Sequence, residues 1–166
     1  EAIQQLNSQG VLSSRRGDGT YIQQLPEQWP QQLIVNPISN LIEEDPLYRF
    51  DVQEARLLLE GGTAWYAALR STPEDRAKIH HYFNEISRHQ NAGDSAQAAV
   101  ADAEFHLAIA EASHNVVLIQ MMRSLFDLLQ YNVLLGRKKV YNDPVNGDLL
   151  SEQHFQVMDA IDRKDP

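Results

Sequence analysis

Asp102 and His106 stand four positions apart in DAEFHLAIAEASHN, a stretch whose apolar residues recur at helical spacing. At about 100° per residue, Phe105, His106 and Ile109 fall within roughly 60° of Asp102, and Val116 extends the same stripe. Glu104 and Glu111 fall on the opposite, water-facing side. A carboxylate and an imidazole therefore lie in the middle of an apolar stripe. Burying a lone carboxylate there is expensive unless something compensates it. An Asp–His hydrogen bond one turn apart would do so, and so would a cation on which both side chains converge. A second stretch, LLSEQHFQVMDAI, places His154 on one face with Leu150, Val157, Met158 and Ile161. Two imidazoles and one carboxylate from different helices suit zinc, nickel or similar ions. Three such ligands leave coordination positions open for water or a small anion.

A cation lies on another stripe. In FDVQEARLLLEGGTAWYAAL, Arg56 shares its face with Val52, Leu59, Glu60, Thr63 and Ala67. One reading is a plain Arg56–Glu60 ion pair one turn apart. The other points the guanidinium into the bundle to grip a carboxylate, with Glu60 orienting it. Both can hold together. The remaining polar residues offer less. His80, His81 and His89 lie on a highly charged helix and read as solvated. His114, before Asn115, reads as a helix-end residue. Trp65 and Tyr66 read as packing residues, and Arg123 as a possible lining of the cavity. There is no glycine-rich phosphate loop, nucleophile elbow or HExxH motif.

These residues need helices to hold them. Helices are expected near 50–71, 73–91, 95–113, 116–140 and 147–162. Pro73 follows Thr72 as a first helical residue, Ala92-Gly93-Asp94 breaks the second helix from the third, and Asn115 caps the fourth. Asp143-Pro144 and Asn146-Gly147 read as a loop. Upstream, residues 1–9 read as the tail of a helix. VLSSRRGDGTYI reads as a hairpin turning at Gly17-Asp18-Gly19. Pro26, Pro30, Pro37 and Pro46 forbid a long helix over 23–49, leaving a linker with one short turn around Ile38–Ile42. The fold class is all-α, an antiparallel helical bundle.

Composition narrows the function. A net charge of −9 argues against a broad nucleic-acid-binding surface on these residues. The absence of cysteine excludes disulfides, thiolate catalysis and Cys-ligated zinc. No run of about 18 apolar residues and no secretory leader is present, which fits a cytoplasmic protein. The chain has no initiating Met, and EAIQQLNSQG reads as helix interior from its first residue. A fragment of a longer protein is therefore expected.

Three segments carry a family resemblance. EAIQQLNSQGVLSSRRGDGTYI resembles the end of the recognition-helix region and the wing of a winged helix-turn-helix, with its Leu-x-x-x-Gly-Val-Leu and Arg-x-Gly-x-Gly-Thr. EARLLLEGGTAWYAALRSTPED resembles the first helix of an FCD effector domain. DAEFHLAIAEASHNVVL resembles that domain's Asp-x-x-x-His…Ala-x-x-Asn motif. The chain thus resembles regulators of the GntR superfamily, in its FadR-like branch. The resemblance implies the C-terminal part of a winged helix-turn-helix at 1–24, a linker at 25–48, and an FCD domain at 49–166 truncated at its C-terminus. It implies a divalent metal, zinc foremost, held by Asp102, His106 and His154. A fourth histidine ligand would lie beyond this chain. Arg56 matches an arginine that lines the effector pocket in several relatives. Arg15, Arg16, Gly17, Gly19 and Thr20 match the DNA-contacting wing.

The implied partners are operator DNA, a second copy of the chain in a homodimer, and a small carboxylate effector. Within the branch the likeness is to members that respond to two- and three-carbon acids. L-lactate is the first expectation, with glycolate and pyruvate behind it. An α-hydroxy acid would chelate a metal through two oxygens while Arg56 takes its carboxylate. Two other classes compete: a metal-dependent enzyme using Asp102, His106 and His154, and an adaptor with a structural metal only. No general base or nucleophile supports the first, and the expectation is that the protein is not an enzyme.

Overall fold

The computed structural model describes residues 12–15, 17, 19–22, 31–45, 47–127 and 144–166. It divides into two units, 1–30 and 31–166. In the first, β1 (Leu12–Arg15) pairs antiparallel with β2 (Gly19–Ile22), with Leu12 opposite Ile22 and Arg15 opposite Gly19. Gly17 and Gly19 both adopt positive φ, +83° and +126°. That backbone is open to glycine and costly for a residue bearing a Cβ, which is why a glycine-bounded turn closes the hairpin. Val11, Arg16 and Asp18, and the helix expected over 1–9, lie outside the described residues.

The second unit is helical. It comprises α1 (Gln31–Glu44), α2 (Tyr48–Arg70), α3 (Pro73–Asn91), α4 (Ser95–Ala112), α5 over 116–127, and α6 (Pro144–Arg163). The part of the fourth expected helix beyond 127 lies outside the described residues.

Two expectations change. Residues 31–44 form a full helix rather than a single turn, with Pro37 inside it. Proline there forfeits one backbone hydrogen bond and crowds the carbonyl four residues back. Val35, Ile38 and Ile42 recur on one face and pack against Val52, Leu59 and Leu125, and that burial offsets the loss. The last helix begins at Pro144, not after Gly147. In a first turn the missing proline N–H would have had no intrahelical partner, so Pro144 opens the helix instead of preventing it.

The helix ends are set by short-range chemistry. Thr72 and Asp75 form a capping box: Thr72 Oγ1 accepts from the Asp75 N–H, and the Asp75 carboxylate accepts from the Thr72 N–H, with Pro73 between them. At the far end of α3, Gly93 takes φ +70°, its N–H donates to the Gln90 carbonyl, and Asp94 N–H donates to the His89 carbonyl. That is a Schellman closure. Asp94 then caps α4 through the Gln97 N–H. So short a connection folds α3 and α4 back on each other as antiparallel neighbours. His114 takes φ +49° just past α4, and Asn115 Oδ1 accepts from the N–H groups of Val117 and Leu118 to start α5. Both residues act at helix ends, as expected.

α4 is the central helix. Ala98, Ala99, Ala101, Phe105, Ala108, Ile109, Ala110 and Ala112 are all buried. Its small residues let neighbouring backbones approach, and it packs against α2 and α3 while α6 packs against the same two. Ile79, Ile86, Ala67, Ala68, Met158 and Ile161 complete the main core. Two residues expected on apolar stripes face outward instead: Val116 and Val157 are exposed. Among the described residues no helix is long and apolar enough to cross a membrane.

Candidate metal centre

Three helices meet around one carboxylate. α4 brings in Asp102 and His106, α6 brings in His154, and α2 brings in Arg56 and Glu60. Asp102 is 1% exposed and His154 4%, so both expected core polar residues are indeed buried. His106 is mostly buried, with its side chain 16% exposed.

His154 Nε2 lies 3.1 Å from Asp102 Oδ1, whereas His106 Nε2 lies 3.9 Å from the same oxygen. The closer imidazole to Asp102 is therefore not the one a turn away on its own helix. It comes from α6. His106 turns its other nitrogen outward: Nδ1 lies 3.5 Å from Glu60 Oε1. Glu60 in turn accepts a 2.6 Å hydrogen bond from Arg56 Nε. The result is a chain of charged and polar groups, Arg56–Glu60–His106–Asp102–His154, running across α2, α4 and α6. The imidazoles are held by rings. Phe105 lies 5.0 Å from His154, the two imidazoles lie 5.2 Å apart edge to face, and Phe126 of α5 stands 6.3 Å from His106. Arg56 also lies over the Phe126 ring at 5.9 Å.

One ligand atom from each of Asp102, His106 and His154 lies within 4.8 Å of the others. Bonds of about 2.0–2.1 Å to one zinc would separate ligand atoms by roughly 3.0–3.4 Å. The His154–Asp102 distance already matches, and the His106–Asp102 distance is slightly wider. Nδ1 of His154 is buried with no hydrogen-bond partner among the described residues. It lies across the ring from Nε2, the nitrogen that faces Asp102, so a metal shared with Asp102 at Nε2 would not satisfy it. Two nitrogens and one oxygen form a donor set that suits zinc or nickel. The residues present fit a divalent ion.

The other polar candidates sort differently. Arg123 Nη2 donates to Glu111 Oε1 at 2.8 Å, and Lys78 Nζ donates to the other oxygen at 2.6 Å. Glu111, expected simply to face water, is thus the hub of a bridge from α3 through α4 to α5. His80 contacts Asp162 at 2.7 Å, and His89, expected to be solvated, has a side chain only 17% exposed beside Glu85. Tyr66 packs beneath the Arg70 guanidinium at 4.1 Å and edge-on to Trp65, which is itself half-exposed. Sequence reasoning missed the contact of Glu60 with His106 and the role of Phe126. Glu60 was visible on the right stripe as the partner of Arg56, but no spacing rule links α2 to α4. Of the expected wing residues, Arg15, Gly17, Gly19 and Thr20 belong to the first unit's hairpin, and Arg16 lies outside the described residues.

Comparison with known proteins gives this site a context. Residues 51–166 match the FCD domain. The "Putative L-lactate dehydrogenase operon regulatory protein" of Escherichia coli (strain K12) is 48% identical over 161 residues, covering 97% of this chain and 61% of that protein. The "Glc operon transcriptional activator" of the same strain is 27% identical over 164 residues, covering 97% of this chain and 63% of that protein. Among solved structures, "Streptococcus agalactiae GntR" superposes with a TM-score of 0.66 at 25% identity, covering 99% of this chain and 71% of that one. The chain spans about three-fifths of the length of these two relatives. The match over most of its helical unit and the identity to these relatives agree, and the chain belongs to the FCD domain family.

Proposed function

We propose that this chain is the effector-sensing part of a DNA-binding transcription regulator. In this reading Asp102, His106 and His154 hold a divalent metal, zinc first and nickel or another ion next. Arg56 binds the carboxylate of a small 2-hydroxy acid, with L-lactate the leading candidate. The observation that carries it is the convergence of one buried carboxylate and two imidazoles from α4 and α6, with Arg56 of α2 one residue away through Glu60. The names of the relatives, a putative L-lactate dehydrogenase operon regulatory protein and a Glc operon transcriptional activator, support both the regulatory role and the class of acid.

When bound, the metal would supply a Lewis-acidic site that a hydroxyl and a carboxylate oxygen could share. The protein's own residues do the rest. Arg56 recognises the acid by charge-assisted hydrogen bonds, and its Nε contact to Glu60 fixes the plane of the guanidinium. Phe126 and Phe105 line the imidazoles and reduce water in the site. The ligand shifts the balance between DNA-bound and DNA-released states only if it binds them differently. Contacts spanning α2, α4 and α6 give it a route, since a change in their packing alters the helical unit as a whole. The α1 helix and the residues before it would pass that change to the winged domain. There Arg15, Arg16, Gly17, Gly19 and Thr20 would contact phosphate or the minor groove of operator DNA. A homodimer in the cytoplasm would read two half-sites. The protein is not an enzyme in this account.

The test uses full-length protein loaded with zinc, wild type and His106→Ala, with metal content and thermal shift read against L-lactate, glycolate and pyruvate. Zinc in wild type alone, and a lactate shift that needs zinc, support the reading. Equal, near-zero metal in both sinks it and leaves the Asp102–His154 contact as a plain core pair. Turnover of any of these acids would favour the metal-dependent enzyme instead.

A further inference from the structure

Glu60 touches both functional halves of the site through a single oxygen. Its Oε1 lies 2.6 Å from Arg56 Nε and 3.5 Å from His106 Nδ1, and all three side chains are largely buried, 21%, 17% and 16% exposed. A helix-surface Arg–Glu pair would use this carboxylate only along α2 and would contribute little. Here the same oxygen also reaches across to α4. The orientation of His106 gives the contact its meaning: Nδ1 faces Glu60 while Nε2 faces Asp102. A ligating histidine commonly donates its outer ring N–H to a carboxylate, which fixes the ring and raises the basicity of the inner nitrogen. The Arg56 side is equally directional. A guanidinium carries its donors in a rigid fork, so holding Nε aims the Nη1/Nη2 edge for a second anion.

We infer that Glu60 positions both ligand-binding groups of the site at once, the imidazole of His106 for the metal and the guanidinium of Arg56 for the effector carboxylate. This rests on the metal-and-acid reading above and deepens it. Glu60 is a positioning residue. In this account it touches neither ion nor acid, and it couples them because one oxygen serves both. Metal occupancy and effector binding are then linked through α2 and α4 without any contact between Arg56 and the metal. A Glu60 variant should therefore loosen both, and in the wild type each ligand should change the other's affinity by the same factor.

The experiment measures zinc affinity by competition with a chelator, and L-lactate affinity by calorimetry at saturating zinc, on full-length wild type, Arg56→Ala, Glu60→Ala and Glu60→Gln. Arg56→Ala should keep wild-type zinc affinity and lose lactate. Glu60→Ala should lose about 10–100-fold in zinc affinity, the usual effect of removing an outer partner of a ligating histidine, and should weaken lactate as well. Glu60→Gln, which keeps an acceptor oxygen, should recover part of both. Thermal melts of the zinc-free variants separate this from a general loss of fold. Should Glu60→Ala fail to fold, Glu60→Asp keeps the charge and withdraws the oxygen, and it carries the same test. A Glu60 variant with wild-type zinc affinity, in a protein whose wild type does bind zinc, overturns the role of Glu60 and leaves the site reading intact. A wild type that takes up no zinc overturns the site reading itself, and the inference with it.

Discussion

His154 of α6 lies 3.1 Å from the Asp102 carboxylate of α4, nearer than His106, which shares a helix with it. The buried carboxylate thus ties two helices together, and His106 is left to connect α4 with α2 through Glu60.

His154→Ala should destabilise the protein even without metal. Asp102 is 1% exposed and His154 is its nearest imidazole, and taking away a partner of a buried polar group costs about 1–3 kcal/mol. Denaturant unfolding of zinc-free wild type and variant reads this directly. A change under about 1 kcal/mol would mean that the carboxylate draws its compensation from elsewhere.

Zinc should raise the melting temperature of wild type. An ion that binds only the folded state adds about 2.7 kcal/mol at a concentration 100 times its Kd. His106→Ala and His154→Ala should both lose most of that increment, because each removes a ligand. Chelator added to the loaded wild type should reverse it. An unchanged melting curve across zinc, chelator and the two variants would speak for a purely structural cluster.

Arg56→Ala should keep the fold and weaken L-lactate binding by roughly 1.5–3 kcal/mol, the usual worth of a hydrogen bond to a charged group. Calorimetric titration at saturating zinc is the measurement. Wild-type affinity in this variant would place the acid elsewhere in the molecule.

Glu111 should make stability depend on acid. Burial pushes its carboxyl upward, but hydrogen bonds from Lys78 and Arg123 together outweigh that and hold it below the ordinary value of 4.5. A carboxyl lowered on folding contributes stability above its unfolded pKa and loses it as pH falls through the folded one. Glu111→Gln should therefore cost about 0.5–1 kcal/mol at neutral pH, the range for partly exposed ion pairs. The gap between variant and wild type should close as pH drops below 4.5. A gap that persists in strong acid would mean that the side chain matters for packing rather than charge.

Much of this molecule was legible one residue at a time. The helix start at Thr72-Pro73, the break at Ala92-Gly93-Asp94 and the cap at Asn115 depend on contacts within a few positions, and such contacts follow from local chemistry. Stripe arithmetic likewise placed Asp102, Phe105, Ile109, His154, Met158 and Ile161 inside, because helical periodicity converts spacing into facing. It misjudged 31–44, where each proline was weighed as a break and the apolar face that outweighs Pro37 was not. It also misjudged Val116, which lies past the end of α4 on α5, where a wheel counted from Asp102 no longer applies, and Val157, which lies at its stripe's edge.

What periodicity cannot supply is a partner on another helix. Sequence put Asp102 with His106 and Arg56 with Glu60, since those are the pairs one turn apart. Whether α6 would carry His154 in closer than His106, and whether α2 would bring Glu60 beside His106, depends on how three helices pack and rotate against one another. That packing is fixed by the summed fit of many side chains around α4, chiefly its alanines and Phe105. So the residue types of the site, and the stripes that bury them, were set by the sequence alone. Which of them touch was decided only when the helices came together.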